Sequence, residues 1–318
     1  MPMPINLTRH KRTARRTAMS LLLLAAGRAS HAAFQNPLVT PQSAAMGGAS
    51  LARTGDSAAI FLNPAAVSGL ERPEAYFTYG QLYAGLNGVG SIGQSFVSAG
   101  APTKLGALAV GFGDFSAAGL LEERVLGVSL SRRLFGAFDA GVTGKYLYHK
   151  YLPGAGAADP VFQNGTSRGA LSFDAGVAVP VTPSLKAALA VRNVNSPDVG
   201  LASVDRVPRE YQAGLAYTVP EWALKVTADY AYRDIQDGSL TDRGVPSVGV
   251  QKGFVDDMIA FRAGASPNQF SAGVGVNFGQ FGFDYSFTLN RDLVSSAAGT
   301  HQVGIRYAFG GAPAARGH

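Results

Sequence analysis

The sequence predicts an all-β protein, a transmembrane antiparallel β-barrel of about 14 strands, the even-numbered architecture of bacterial outer-membrane barrels. Three observations predict it. The 318 residues carry only 15% charged side chains beside 40 glycines, and mean hydropathy is +0.10, poor in charge for a chain bathed in water. Apolar and polar residues alternate with a period of two. Beyond the N-terminal leader, no run of about 18 apolar residues could form a spanning helix.

The leader occupies residues 1–32. It has a basic stretch through Arg16, an apolar run from Ala18 to Gly27, and the small-residue pattern Ser30-His31-Ala32 before Ala33, which together predict export and cleavage after Ala32. Arg15-Arg16 invites a twin-arginine reading, set aside because Thr17-Ala18-Met19 follows and basic leaders commonly hold such pairs. The leader also explains the net charge of +6. It holds Arg9, Lys11, Arg12, Arg15, Arg16 and Arg28 and no acid; without these six of 27 basic residues, 21 remain against 21 acidic ones. A nucleic-acid partner therefore loses its electrostatic support. The lack of cysteine removes disulfides, thiolate metal sites and a lipid-modified N-terminus.

Alternation is clearest near the C-terminus. Phe281, Phe283, Tyr285, Phe287 and Leu289 oppose Gly282, Asp284, Ser286, Thr288 and Asn290. Phe270, Ala272, Val274, Val276 and Phe278 oppose Ser271, Gly273, Gly275 and Asn277, and Val303, Ile305, Tyr307 and Phe309 oppose Gln302, Gly304 and Arg306. Trp222, Leu224, Val226, Ala228, Tyr230 and Tyr232 oppose Lys225, Thr227, Asp229 and Arg233. Such a period belongs to strands with one dry and one wet face.

A soluble sandwich would alternate too, so strand length and loop order decide. Segments of about 9 to 11 residues suit a tilted strand crossing a bilayer. They begin near Glu74, Gln94, Leu105, Glu123, Phe135, Arg168, Ser184, Pro208, Trp222, Gly244, Met258, Gln269, Gln280 and Thr300. Tight connections around Thr103, Arg133, Pro183, Pro220, Asp256 and Gly279 alternate with long ones over 84–93, 150–167, 193–207, 233–243 and 291–299, as periplasmic turns alternate with extracellular loops. The barrel is predicted over 73–309, with a short periplasmic tail at 310–318. Its wet faces present Asp139, Lys145, Asp174, Lys186, Arg192, Lys225, Asp229, Arg262, Asp284 and Arg306, both signs together, which predicts mutual pairing inside the lumen rather than an ion-selective pore.

Residues 33–72 do not alternate. They are rich in Ala, Gly and Ser, contain Met46-Gly47-Gly48-Ala49, Asp56 and Phe61-Leu62-Asn63-Pro64-Ala65, and precede the first strand. Short helical turns folded from the periplasmic side into the barrel mouth are predicted, as a plug.

These residues carry a family resemblance. Met46-Gly47-Gly48-Ala49, the acid Asp56 and Asn63-Pro64-Ala65 resemble the N-terminal pattern of the FadL-like superfamily, with Ala66 where that pattern has Gly. The likeness extends through Val191-Arg192-Asn193-Val194, Asp284-Tyr285-Ser286-Phe287 and the segment from Gly299 to Gly310. The superfamily includes fatty-acid and aromatic-hydrocarbon channels and the PorV/PorQ proteins of type IX secretion, and the short mature chain is more similar to the PorV/PorQ branch.

Motifs with chemical overtones have simpler readings. Gly88-Val89-Gly90-Ser91-Ile92-Gly93 matches a dinucleotide fingerprint without a following helix. Asn164-Gly165-Thr166 is a turn, and Gly165-Thr166-Ser167-Arg168-Gly169 leads into a strand rather than the strand-to-helix elbow a nucleophilic serine needs. His149, His301 and His318 lack spaced carboxylates, and Asp256-Asp257 lies in a turn, so neither a catalytic triad nor a metal site is predicted, nor any cofactor.

The resemblance implies two roles. One is uptake of a hydrophobic or amphipathic small molecule, with capture by Leu120, Leu121, Val161, Phe162 and Leu201 and gating at Gly47, Gly48, Asp56, Asn63 and Pro64. The other is a binding role in protein secretion, with an exported protein as partner. Both place outer-membrane lipid around the barrel. The broader role of the superfamily tips the sequence reading slightly to uptake, and a plain diffusion pore is disfavoured by the plug and the balanced lumen charge.

Overall fold

The computed structural model describes residues 33–34, 39–86, 91–156, 158–234, 244–291 and 297–310. The leader, most of the C-terminal tail and Gly88-Val89-Gly90 of the fingerprint lie outside the described residues.

Fourteen strands close into one antiparallel barrel in which each pairs with its neighbours in sequence. They are β1 (Glu74–Leu82), β2 (Ile92–Thr103), β3 (Gly106–Ala117), β4 (Leu121–Leu134), β5 (Phe138–Tyr151), β6 (Ser167–Pro180) and β7 (Leu185–Arg192). The second half comprises β8 (Glu210–Val219), β9 (Leu224–Arg233), β10 (Gly244–Phe254), β11 (Ile259–Ser266), β12 (Gln269–Phe278), β13 (Phe281–Asn290) and β14 (Thr300–Ala308). Closure is made by β1 on β14, with Glu74 opposite Ala308 and Gln81 opposite His301. No sheet edge remains to recruit another chain, and every strand finds backbone partners on both sides, as a wall facing hydrocarbon requires. Among the described residues no helix is long and apolar enough to cross a membrane.

The dry faces point outward. Phe77, Val110 and Phe283 are 47%, 52% and 47% exposed, whereas their strand neighbours Thr78, Ala109 and Asp284 are buried. A sandwich would bury the apolar face, so the phase of burial excludes it. Trp222, Tyr217, Phe254, Phe278 and Phe309 are exposed around the end that carries the tight turns, an aromatic rim suited to a membrane interface.

Strand boundaries depart from the sequence reading where local chemistry intervenes. Phe135 stands in the β4–β5 turn at φ +51°, and β5 starts at Phe138. Trp222 closes a short 3-10 turn, Pro220–Trp222, and Ala223 follows in the left-handed region, so β9 begins at Leu224. Pro208 has no N–H for a ladder, and β8 begins at Glu210. Lengths run from 8 residues in β7 and β11 to 14 in β4, β5 and β6, a wider range than the sequence predicts. Two connections at the loop end are also tight, Ala118–Leu120 and Pro267–Asn268.

The core lies inside the barrel, between its wall and residues 39–72. This segment forms α1 (Pro41–Ala45) and two 3-10 turns, Ser57–Phe61 and Pro64–Gly69. A side-chain cap starts each one: Thr40 accepts from the Ser43 amide at 3.2 Å, Asp56 from Ala58 at 2.8 Å and Asn63 from Ala65 at 3.0 Å. Pro41 and Pro64 follow two of these caps, where a missing N–H costs nothing. Ala66 sits inside the second 3-10 turn without a positive φ, so no glycine is needed there.

Ile60, Phe61, Val67 and Leu70 pack on Tyr76, Phe96, Ala107 and Ala109, and Leu51, Ala52 and Ala65 on the small inward residues Ala178, Ala188, Ala190 and Ala216. Full burial of a side chain such as Ile60 or Phe61 contributes roughly 1.5–3 kcal/mol. Two glycines are required by close approach. Gly47 has φ +68°, and a Cβ there would lie 2.5 Å from the Ala265 nitrogen; a Cβ on Gly141 would lie 2.5 Å from the Pro64 carbonyl carbon.

The segment begins at the loop end, contrary to the expected entry from the periplasmic mouth. Ala33 and Phe34 lie beside Glu123, Leu147 and His149 near the loop ends of β4 and β5, whereas Glu74 enters β1 at the turn end. At the loop end the apolar side chains of Ala33 and Phe34 pack against Leu147, Val199 and Val207.

Candidate functional site: the lumen and its N-terminal segment

Strand alternation carries the lumen charges inward. Lys145 on β5 meets Asp174 on β6 at 2.7 Å and donates to Asn193 at 2.9 Å, while Asp174 accepts the Asn193 amide at 2.8 Å. Arg192 on β7 meets Glu210 on β8 at 2.5 Å, and Arg233 on β9 takes the other carboxylate oxygen at 2.9 Å. Arg262 on β11 meets Asp284 on β13 at 2.8 Å. Arg306 on β14 is 3.9 Å from Glu74 and donates to Asn277 at 2.9 Å. Asp139 is buried on the inner face of β5, within the field of Lys186, and Lys225 is half-buried on the inner face of β9.

Several of these groups hold the N-terminal segment instead of, or as well as, one another. Asp229 accepts the backbone amides of Ser50 and Leu51 at 2.7 and 2.8 Å. Gln42 donates to Asp284 at 2.6 Å, Arg192 to the Phe61 carbonyl at 3.2 Å and Lys186 to the Thr54 hydroxyl at 2.7 Å. Glu74 accepts the Ser57 amide at 2.6 Å, and Thr227 donates to the Ala49 carbonyl at 2.7 Å. Within the segment, Arg53 pairs with Asp56 at 2.7 Å. Gly47 and Gly48 form the turn after α1, against β11, and Asn63 ties the two halves of the segment by donating to the Leu51 carbonyl at 2.9 Å. Where the segment meets β8–β10, a pocket of about 40 Å³ is lined by Gly48, Ser50, Leu51, Gln212 and Asp229.

Glu74, Glu210 and Glu123 were missed in the sequence, although all three are in phase with their wet faces. Each stands within three residues of a strand start.

Of the predicted capture residues, Leu120 is exposed in the β3–β4 turn, and its carbonyl accepts the Leu152 amide at 2.8 Å. Leu121 stands opposite Tyr151, whose ring centroid is 6.1 Å from that of Phe162, with Val161 exposed alongside. These four gather at one side of the loop end. Leu201 belongs to the 193–209 loop, fastened to β6 by Arg168 donating to the Gly200 carbonyl at 2.8 Å. In that loop, burial acts to raise the Asp198 carboxyl. The Gly200 and Asp205 amides, 2.9 Å each, and the charges of Arg168 and Arg206 outweigh it and hold Asp198 below the usual carboxylate range.

The chemical-looking residues do not converge. Ser167 begins a strand, His149 faces the lumen, and His301 shares a 2.8 Å hydrogen bond with Tyr285 on the outer wall. Among the described residues no three His, Cys, Asp or Glu side chains gather as metal ligands.

The fold is similar to that of solved hydrocarbon channels. The toluene transporter TbuX of Ralstonia pickettii superposes with TM-score 0.63 at 13% identity, over 87% of this chain and 100% of that one. The monoaromatic hydrocarbon channel CymD gives 0.63 at 15% identity, over 87% and 99%. A FadL homologue of Pseudomonas aeruginosa gives 0.58 at 13% identity, over 86% and 99%. At such identities the likeness is one of fold. No curated protein matches the chain. The model of one protein family, described as type IX secretion system membrane protein PorP/SprF, matches residues 122–307. With the match covering more than half of its length, from β4 to the closing strand, the chain belongs to the PorP/SprF family of type IX secretion membrane proteins.

Proposed function

We propose that this protein is an outer-membrane component of a type IX secretion system, a barrel held shut by its own N-terminal segment and engaged with protein partners rather than solutes. The observation that carries the reading is the fastening of residues 39–72 to opposite sides of the wall, through Arg192 on β7 and Asp229 on β9 on one side and Asp284 on β13 and Glu74 on β1 on the other. Residues 33–72 act as a plug, and the exported chain reaches the outer membrane after loss of residues 1–32. The sequence resemblance to the PorV/PorQ proteins points to the same secretion route.

Cross-linking in native outer membranes, followed by mass spectrometry, tests it. Cross-links from the 150–167 and 193–209 loops to other secretion components are expected, together with a closed barrel in planar bilayers that conducts when residues 39–70 are deleted. A wild-type barrel that conducts freely would remove the plug.

The second reading, uptake of a hydrophobic small molecule, draws on the fold likeness to the hydrocarbon channels. In it, Leu120, Leu121, Val161 and Phe162 form the capture surface, joined by Leu201, and movement at Gly47-Gly48, Asp56 and Asn63-Pro64 opens the path. A stoichiometric apolar molecule co-extracted with the purified barrel would favour uptake.

A further inference from the structure

Among the described residues, two carboxylates at the loop end of the lumen have no ion-pair partner. Glu123 on β4 is buried opposite His149, and Asp205 reaches the same place from the 193–209 loop. Asp174, Glu210 and Asp284 each meet a Lys or Arg, but among the described residues no ion pair engages Glu123 or Asp205. What they hold is backbone: Glu123 accepts the Phe34 amide at 2.7 Å, and Asp205 accepts from the backbone of Ala33. A buried carboxylate that faces only a neutral amide keeps most of its desolvation cost, and burial together with Asp198 pushes the Asp205 carboxyl up.

The place is built to hold a chain end. Ala33 is 8% exposed and packs with Leu147, Val199 and Val207, and the Phe34 ring stacks on His149 with 6.4 Å between centroids and 13° between planes. Ala33 is also the residue that follows the Ser30-His31-Ala32 pattern read as a cleavage site.

We propose that Glu123 and Asp205 form a binding site for a primary ammonium, and that its ligand is the α-amino group created at Ala33 when the leader is removed. In that step water adds across the Ala32–Ala33 peptide bond. Ala32 keeps the carboxylate, and the Ala33 nitrogen gains the protons that make it an ammonium. One amide proton then becomes three, and one positive charge meets the two carboxylates. Maturation thereby locks the start of the N-terminal segment to β4 and to the 193–209 loop, and the uncleaved chain cannot form the pair. The inference concerns the chain end and holds whether the barrel serves secretion or uptake.

The test is acylation of the folded, detergent-solubilised barrel with an amine-reactive ester near neutral pH, read by peptide mapping. The tryptic peptide 33–53 contains no lysine, so any acyl group on it reports the α-amine. N-terminal sequencing should give Ala33, and its α-amine should react at least about tenfold more slowly in the folded barrel than in the unfolded chain, the effect of one unit of added basicity. Protection should largely vanish in Glu123→Gln/Asp205→Asn; should that variant not fold, Asp205→Asn alone should show partial loss. A different N-terminus, a folded α-amine that reacts at the unfolded rate, or full protection in the folded variants would each overturn the proposal.

Discussion

Arg262 on β11 and Asp284 on β13 meet at 2.8 Å although a whole strand, β12, lies between them, because Gly275 on β12 has no side chain in the way. A Cβ at Gly275 would lie 2.6 Å from the Asp284 Oδ1 and 2.7 Å from the Arg262 guanidinium. The other Asp284 oxygen takes Gln42 of α1, so this bridge also anchors the N-terminal segment.

Arg262→Ala should therefore be costly, since it strands a buried carboxylate; loss of one partner of a buried pair costs about 3–5 kcal/mol. Replacing both Arg262 and Asp284 by Met and Leu should cost less than the single change. Unfolding in urea, followed by heat-modifiable gel mobility, measures both, and a single variant as stable as wild type would contradict the bridge.

Asp229→Ala should loosen the segment at Ser50 and Leu51, whose amides lose their acceptor. Unsatisfied buried donors cost roughly 1–3 kcal/mol each. Trypsin cleavage after Arg53 in the folded barrel should accelerate severalfold, with the wall itself intact.

Gly47→Ala should impair folding more than Gly48→Ala. Both glycines have positive φ, but a Cβ at Gly47 collides with the Ala265 backbone, whereas one at Gly48 meets nothing within 4 Å. The conformational cost common to both is about 1–2 kcal/mol, and the difference in yield of folded barrel reads the collision alone.

Phe283→Arg should block assembly while Phe283→Leu should not, because Phe283 lies on the outer face of β13. A cation on the lipid side costs about 2–4 kcal/mol at the bilayer midplane. Equal assembly of the two variants in lipid vesicles would contradict the outward assignment. Inward positions are no free alternative: Ser286 is fully buried, on the strand against which α1 packs.

The two faces of the wall were legible because a strand imposes its period on the chain. The phase that marks Phe281, Phe283 and Tyr285 as outward also marks Asp284 and Ser286 as inward, without knowledge of any neighbour. Glu74, Glu210 and Glu123 share that phase and stand at or near strand starts, as Asp139 and Lys186 do, so the same period places them inward. The turns were not legible in this way. Trp222 continues the alternation of β9 perfectly in one dimension, yet Pro220 and the left-handed Ala223 bend the chain before the ladder begins.

By itself, the sequence determined the fourteen-strand barrel, the two faces of its wall and the short turns of the segment before it, all of which depend on residues close together in the chain. Only the tertiary structure decided which charges meet, that Asp229 holds Ser50 and Leu51, that the segment starts at the loop end, and that Glu123 and Asp205 converge on Ala33. The physical reason is closure. Register and curvature bring together side chains up to 242 residues apart, as Gln42 and Asp284 are, and no local pattern records where a barrel wall returns.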